Sequence, residues 1–240
     1  VFFGVELEMC NASGDDAAAY VEDCLAPFAQ AHSSEFMFCK EDGSVDSGIE
    51  FVSHCFTWDW LKENGELFKQ FFAQTQDVNF IGDHDSAGMH IHISRGKLRY
   101  TRLLSLLRFV YGNPFFIEKI SRRQMGDESA MAEYASLYQE ASQKRLIVKS
   151  KHNDGYCSER YTAVNVENKA TVELRFFRGV DDWDMFMRNM EFADSLYQFA
   201  LSGSYNRMWP HTFGAFVRKR SNRYPRLHSL LETVIGKDQS

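Results

Sequence analysis

No stretch of this chain approaches the run of about 20 apolar residues that spans a bilayer. The nearest, Leu103 to Val110, is interrupted by Ser105 and Arg108, so no membrane association is expected. Cysteine is sparse: Cys10, Cys24, Cys39, Cys55 and Cys157 form an odd set without a C-x-x-C pair. That spacing argues against a disulfide framework and against a zinc ribbon, and the expected state is buried free thiols in a reducing cytoplasm. Positive charge is not in excess either. With Lys+Arg 27 against Asp+Glu 33, the net charge is −6, where a general nucleic-acid binder carries a basic domain. No internal repeat, low-complexity segment or linker is visible, so residues 1–240 read as a single domain.

What is present is an ordinary globular composition, 44% hydrophobic and 25% charged, with 21 Phe pointing to an aromatic-rich core. The chain opens at Val1 inside a strand-like run, without an initiator Met or a signal peptide. It is therefore expected to be trimmed or to be part of a longer protein.

Chemistry concentrates on strands with two unlike faces. In Gly88-Met-His-Ile-His-Ile-Ser94, alternation puts Met89, Ile91 and Ile93 on one face and His90, His92 and Ser94 on the other. Imidazoles at i and i+2 stand about 6.5–7 Å apart, so one can bind a metal while the next meets something attached to it. In Val1 to Cys10, Val5, Leu7 and Met9 face one way and Gly4, Glu6 and Glu8 the other. Such a pair of carboxylates is either the solvated face of an edge strand or a grip on divalent cations, which prefer oxygen ligands.

Glu35 to Ser53 reads as a hairpin around turns rich in Asp, Gly and Ser, with Glu50 between Ile49 and Phe51. Asp42, in Asp-Gly-Ser, is open to two readings, a turn former or a further ligand. Arg160 to Val166 and Ala170 to Phe176 read as two strands around a turn at Glu167 to Lys169. On the second, Thr171, Glu173 and Arg175 share the face opposite Val172, Leu174 and Phe176. If exposed, Glu173 and Arg175 would be a same-face ion pair worth under about 1 kcal/mol.

Helices are expected over Ser13–His32, Thr57–Gln74, Leu98–Tyr111, from there to about Arg123, over Trp183–Leu201 and over Pro225–Ile235. Arg122 and Arg123 suit a helix C-terminus. The loop from Asp83 to Gly88 leads into the histidine strand, and His84 reads as an exposed loop residue. After Tyr205 an irregular stretch precedes a basic run, Arg218, Lys219, Arg220, Arg223 and Arg226, which reads as a solvated surface.

If these strands share one sheet, their carboxylates and imidazoles converge on one surface. Massed carboxylates raise one another's pKa values unless cations intervene. A ligand set of oxygens with one or two imidazoles suits Mg²⁺ or Mn²⁺. Taken in order, Gly-Val-Glu-Leu-Glu, Asp42-Gly-Ser with Gly-Ile-Glu50-Phe-Val-Ser, Gly-Met-His-Ile-His-Ile-Ser and Thr-Val-Glu-Leu-Arg resemble the amidoligase family, carboxylate–amine ligases similar to glutamine synthetase and glutamate–cysteine ligase. The motifs extend from Phe3 to Gly179.

The resemblance implies an α+β fold with a curved antiparallel sheet and helices on one face. It implies an ATP- and Mg²⁺- or Mn²⁺-dependent ligase that forms an amide through an acyl phosphate. On it, Glu8, Asp42 and Glu50 match ligands of one metal, and Glu6, His90 and Glu173 those of a second beside the ATP phosphates. His92 and Ser94 match nucleotide-side positions, and Arg175 matches an arginine that steadies the transferred phosphoryl group. Arg160 and Arg123 are further phosphate or substrate contacts on looser local matches. Asp83-His84-Asp85-Ser86 departs from the amino-acid loop of glutamine synthetase, so the acid and amine substrates, small molecules or peptides, stay open. A homo-oligomer is compatible with the resemblance. A zinc hydrolase using His90 and His92, and a non-catalytic relative, are the alternatives.

Overall fold

The computed structural model describes residues 1–11, 36–42, 48–77, 79–84, 86–123, 143–151, 162–202 and 208–236. The helix expected over Ser13 to His32, the hairpin turn at 43–47, residues 124–142 and Arg160 lie outside the described residues. The strands are β1 (Phe2–Asn11), β2 (Met37–Asp42), β3 (Gly48–Ser53), β4 (Phe56–Thr57), β5 (Phe80–Ile81), β6 (Gly88–Ser94), β7 (Val164–Asn165) and β8 (Thr171–Arg178). The helices are α1 (Trp58–Glu63), α2 (Gly65–Asp77), α3 (Tyr100–Gly112), α4 (Pro114–Ser121), α5 (Gln143–Ser150), α6 (Trp183–Ser202), α7 (Pro210–Arg218) and α8 (Pro225–Gly236). The protein is α+β, and among the described residues its antiparallel sheet of eight strands runs β2-β3-β1-β6-β8-β7, with β4 and β5 both paired to β1. Among the described residues no helix is long and apolar enough to cross a membrane.

The chain divides into two compact units, Val1–His92 with Arg178–Phe186, and Ile93–Phe177 with Met187–Ser240. In the first, the alternation read from sequence is realised as burial. Phe3, Val5, Leu7 and Met9 of β1 are each 1% exposed, which is what lets their strand hold charge on its other side. β3 pairs antiparallel with β1 and sets Glu50 opposite Glu8, while β2 pairs with β3 and sets Lys40 opposite Glu50. The apolar side is filled by aromatic rings. Phe68 stacks on Phe186 at 4.7 Å and meets Phe36 edge-on at 5.3 Å, and Phe51 meets Phe71 edge-on at 5.0 Å. Such pairs add about 0.5–1.5 kcal/mol beyond the area they bury.

The single helix expected from Thr57 is two. The Asn64 amide N–H and side-chain Nδ2 both turn back to the Trp60 carbonyl, ending α1. The next residue is Gly65, where a Cβ would lie 2.7 Å from the Trp183 ring. The break lets an indole pack against bare backbone. Gly82 and Gly179 show the same device more severely, since a Cβ on either would collide with a backbone carbonyl of the facing segment.

In the second unit β7 and β8 pair with Asn165 opposite Glu173. β7 is much shorter than the strand expected over Arg160 to Val166. Arg95 secures the connection between the two strands: its backbone N–H donates to Ala170 O, its Nε to Thr171 O and its Nη2 to Val166 O. Phe109, Phe199 and Phe213 bring α3, α6 and α7 together. α7 occupies a stretch read from sequence as irregular. Pro210 opens it at a position where the missing N–H costs nothing, and Phe213, Gly214 and Val217 supply its buried stripe.

Two buried carboxylates of α6 hold the start of α8. Asp194, fully buried, accepts from Arg223 Nε and Nη2 and from Tyr224 Oη, and Glu191 accepts the Leu227 backbone N–H at 2.8 Å. Part of the basic run is thus engaged internally, while Arg218, Lys219 and Arg220 remain exposed.

Candidate functional site

β1 and β6 place the site in the first unit. Gly88 N–H donates to Glu8 Oε2 at 2.6 Å, Glu6 meets His90, and Gly4 faces the His92 Cβ. As β1 numbers fall, β6 numbers rise, the order of an antiparallel pair. Met89 and Ile91 are fully buried on the far side, so both imidazoles are turned toward the carboxylates of β1.

Glu6 stands between the two histidines. Its Oε2 lies 3.1 Å from His90 Nδ1 and its Oε1 3.0 Å from His92 Nε2. Burial alone would push the Glu6 carboxyl up, but hydrogen bonds to His90 and His92, and the positive field of both, hold it well below the usual carboxylate range. His90 Nε2 is 3.4 Å from Glu8 Oε1, so this ring touches both acids of β1. Glu50, on the next strand, behaves oppositely. Burial and the neighbouring Glu6 charge raise it to about 7, against the pull of Lys40, whose Nζ lies 2.9 Å from Glu50 Oε2. The other oxygen, Glu50 Oε1, is buried with no hydrogen-bond partner.

These groups suit a divalent cation. Two cis ligands of an octahedral ion at about 2.1 Å stand about 3 Å apart, and Glu6 Oε2 and His90 Nδ1 are 3.1 Å apart. A buried carboxylate oxygen without a donor is an atom that wants a cation or a proton. Oxygens plus imidazole make a donor set for Mg²⁺ or Mn²⁺.

A second group of expected site residues lies in the other unit. Glu173 is 6% exposed, with Oε1 at 2.5 Å from Arg175 Nη1 and Oε2 accepting from Asn165 Nδ2 at 2.8 Å. Far from a solvated ion pair, Glu173 and Arg175 are both largely buried. Arg123 follows the C-terminus of α4, as expected, and is buried there. Arg122 takes the left-handed conformation (φ 60°) that closes α4, and Arg123 turns inward, 5% exposed, toward the carbonyls of Arg175 and Phe177. Ser94 ends β6 half-buried. The Asp42 backbone ends β2 opposite Gly48; its side chain and Arg160 lie outside the described residues.

Comparison with protein-family models gave no match, and no curated protein matched either.

Three contributors were not singled out from sequence. Lys40 reaches Glu50, Asn165 orients Glu173, and Arg178 pairs with Asp83 through Nε. Lys40 was recoverable: counting back through the Asp-Gly-Ser turn puts it beside Glu50. His84, exposed as expected, has Nδ1 2.9 Å from Ser86 Oγ and 3.4 Å from Cys10 Sγ.

Proposed function

We propose that this protein is an ATP-dependent carboxylate–amine ligase with a fold of the glutamine synthetase type, working with Mg²⁺ or Mn²⁺. The observation that carries the reading is the Glu6 carboxylate held between His90 and His92 beside Glu8 and a Glu50 oxygen left without a donor. This arrangement is costly for an isolated protein and economical for one that takes a cation.

A carboxylate is a poor electrophile; ATP, when bound, supplies the phosphoryl group that makes it an acyl phosphate open to amine attack. In the proposal Glu6 and His90 hold the divalent ion, joined by Glu173 on the resemblance. Arg175 and Arg123 neutralise charge on the transferred phosphoryl group, which is where phosphoryl transfer is stabilised. Asn165 acts through Glu173, fixing which oxygen is presented. His92 and Ser94 lie on the nucleotide side. The acid and amine, small molecules or peptides, are set by the loop from Asp83 to Ser86, and no nucleic acid takes part.

Isothermal titration of the chain with a non-hydrolysable ATP analogue, with and without Mg²⁺ or Mn²⁺, tests the proposal. Metal-dependent binding that Glu173→Ala removes supports it. No nucleotide binding by folded protein under any metal overturns it and leaves a hydrolase or an inert relative.

A further inference from the structure

Three side chains that the proposed chemistry does not use are buried together in the second unit. Tyr111 on α3, Lys149 on α5 and Thr162, just ahead of β7, are each 2% exposed. Lys149 Nζ donates to Thr162 Oγ1 at 2.9 Å and to Tyr111 Oη at 3.4 Å. An ammonium can only donate. Both hydroxyl oxygens therefore accept from it, and each hydroxyl proton is turned elsewhere. Both reach the Val164 carbonyl, Thr162 Oγ1 at 3.1 Å and Tyr111 Oη at 3.5 Å. The Val164 N–H donates back to Tyr111 Oη at 3.0 Å.

Val164 is the first of the two residues of β7, and among the described residues β7 ends the sheet. A strand at a sheet edge has a row of N–H and C=O groups that no neighbouring strand takes, and burying such groups without partners is costly. Here the two hydroxyls held by Lys149 take them. The other side of β7 meets β8. Ala163 O accepts the Arg175 N–H at 2.9 Å, and Val164 and Asn165 stand opposite Leu174 and Glu173. Asn165 Nδ2 then donates to Glu173 Oε2 at 2.8 Å. A strand this short has few contacts to fix its place, so the Asn165 amide sits where the grip on Val164 puts it.

We propose that Lys149 is a positioning residue for the Glu173 carboxylate, acting through Tyr111, Thr162 and the β7 backbone on Asn165. The inference rests on the ligase reading, in which Glu173 is a metal ligand. It adds the buried element, remote in sequence, that sets which way that carboxylate faces.

The test is a double-mutant cycle on the full chain, read by isothermal titration of a non-hydrolysable ATP analogue with Mn²⁺. Asn165→Ala is expected to weaken Mn²⁺-dependent binding about tenfold, the scale for losing the outer partner of a metal ligand. Lys149→Met, similar in length but uncharged, is expected to weaken it about threefold to tenfold. It is also expected to alter the electron paramagnetic resonance line shape of bound Mn²⁺. In the Asn165→Ala background Lys149→Met is expected to add less than about twofold, because residues that act along one path are not additive. Tyr111→Phe removes a single oxygen, serves if Lys149→Met fails to fold, and is expected to act in the same direction. A merely structural lysine would lower the urea midpoint and leave the affinity and line shape of the folded protein alone.

Unchanged affinity and line shape in the folded variants overturn the inference, as does a full additive loss in the Asn165→Ala background. Either result, with nucleotide bound by wild type, leaves the ligase reading standing. If wild type binds Mn²⁺ but no nucleotide, the ligase reading falls, and the same cycle titrated with Mn²⁺ alone decides the inference. No Mn²⁺ binding by folded wild type overturns both.

Discussion

Glu8 and Glu50 are Cα partners on neighbouring antiparallel strands, so two carboxylates stand side by side on one face of the first unit. Like charges placed so repel, and the protein offsets the repulsion on each side separately. Glu8 receives the Gly88 N–H and faces His90; Glu50 receives Lys40. Glu6, one pair along the same face, is the acid served by two imidazoles.

Glu6→Gln removes the charge that both histidines address. Mn²⁺ affinity is expected to fall at least about tenfold, the scale on which disturbed metal shells lose affinity. On the proposed function, wild type at 100 times its Kd for Mn²⁺ would gain about 2.7 kcal/mol of stability by linkage, so its thermal midpoint should rise on adding the ion. The variant should show little of that rise, and a thermal-shift titration compares the two directly.

Gly179 and Gly82 face each other so closely that neither tolerates a side chain. Gly179→Ala must push apart the segment in which Asp181 accepts the Gly82 and Asp83 N–H groups and Arg178 pairs with Asp83. The expected cost is roughly 1–3 kcal/mol, the usual range for overpacking. Urea denaturation reads it as a lower midpoint with an unchanged slope.

Phe68 is fully buried among Phe36, Phe56, Phe186 and Trp183. Phe68→Ala leaves a cavity that these four aromatic side chains cannot close and should destabilise the protein by about 3–5 kcal/mol. A loss below 1 kcal/mol in chemical denaturation would contradict the packing described.

Tyr224 carries a pH signature. Burial, then the neighbouring Asp194 charge and the hydrogen bond to it, raise the phenol above its ordinary value of 10. The folded state therefore holds this proton more tightly than the unfolded one. The associated stability is complete below pH 10 and is lost as the pH climbs above 10 toward the folded value. Tyr224→Phe should cost about 1 kcal/mol near neutrality, for the lost hydrogen bond. Above pH 10 the gap to wild type should narrow, measured by urea denaturation at a series of pH values.

Periodicity alone determined much of this protein. The two-residue alternation of β1, β3, β6 and β8 is local physics: apolar side chains on one face must be buried, and the faces bearing Glu6, Glu50, His90 and Glu173 follow from that. The long helix α6 and the terminal helix α8 were also legible in the sequence. Only tertiary structure decided the rest. α1 and α2 part at Asn64 because Trp183, far along the chain, packs on Gly65. α7 forms around a stripe of only Phe213, Gly214 and Val217 because Phe109, Phe192 and Phe199 receive Phe213. Arg123 turns inward because two β8 carbonyls accept from it. Which acid is served by histidine and which by lysine was likewise settled by strand register. Alternation says which face a side chain takes, but its partner depends on how separate strands slide into alignment, a choice made by contacts distant in sequence.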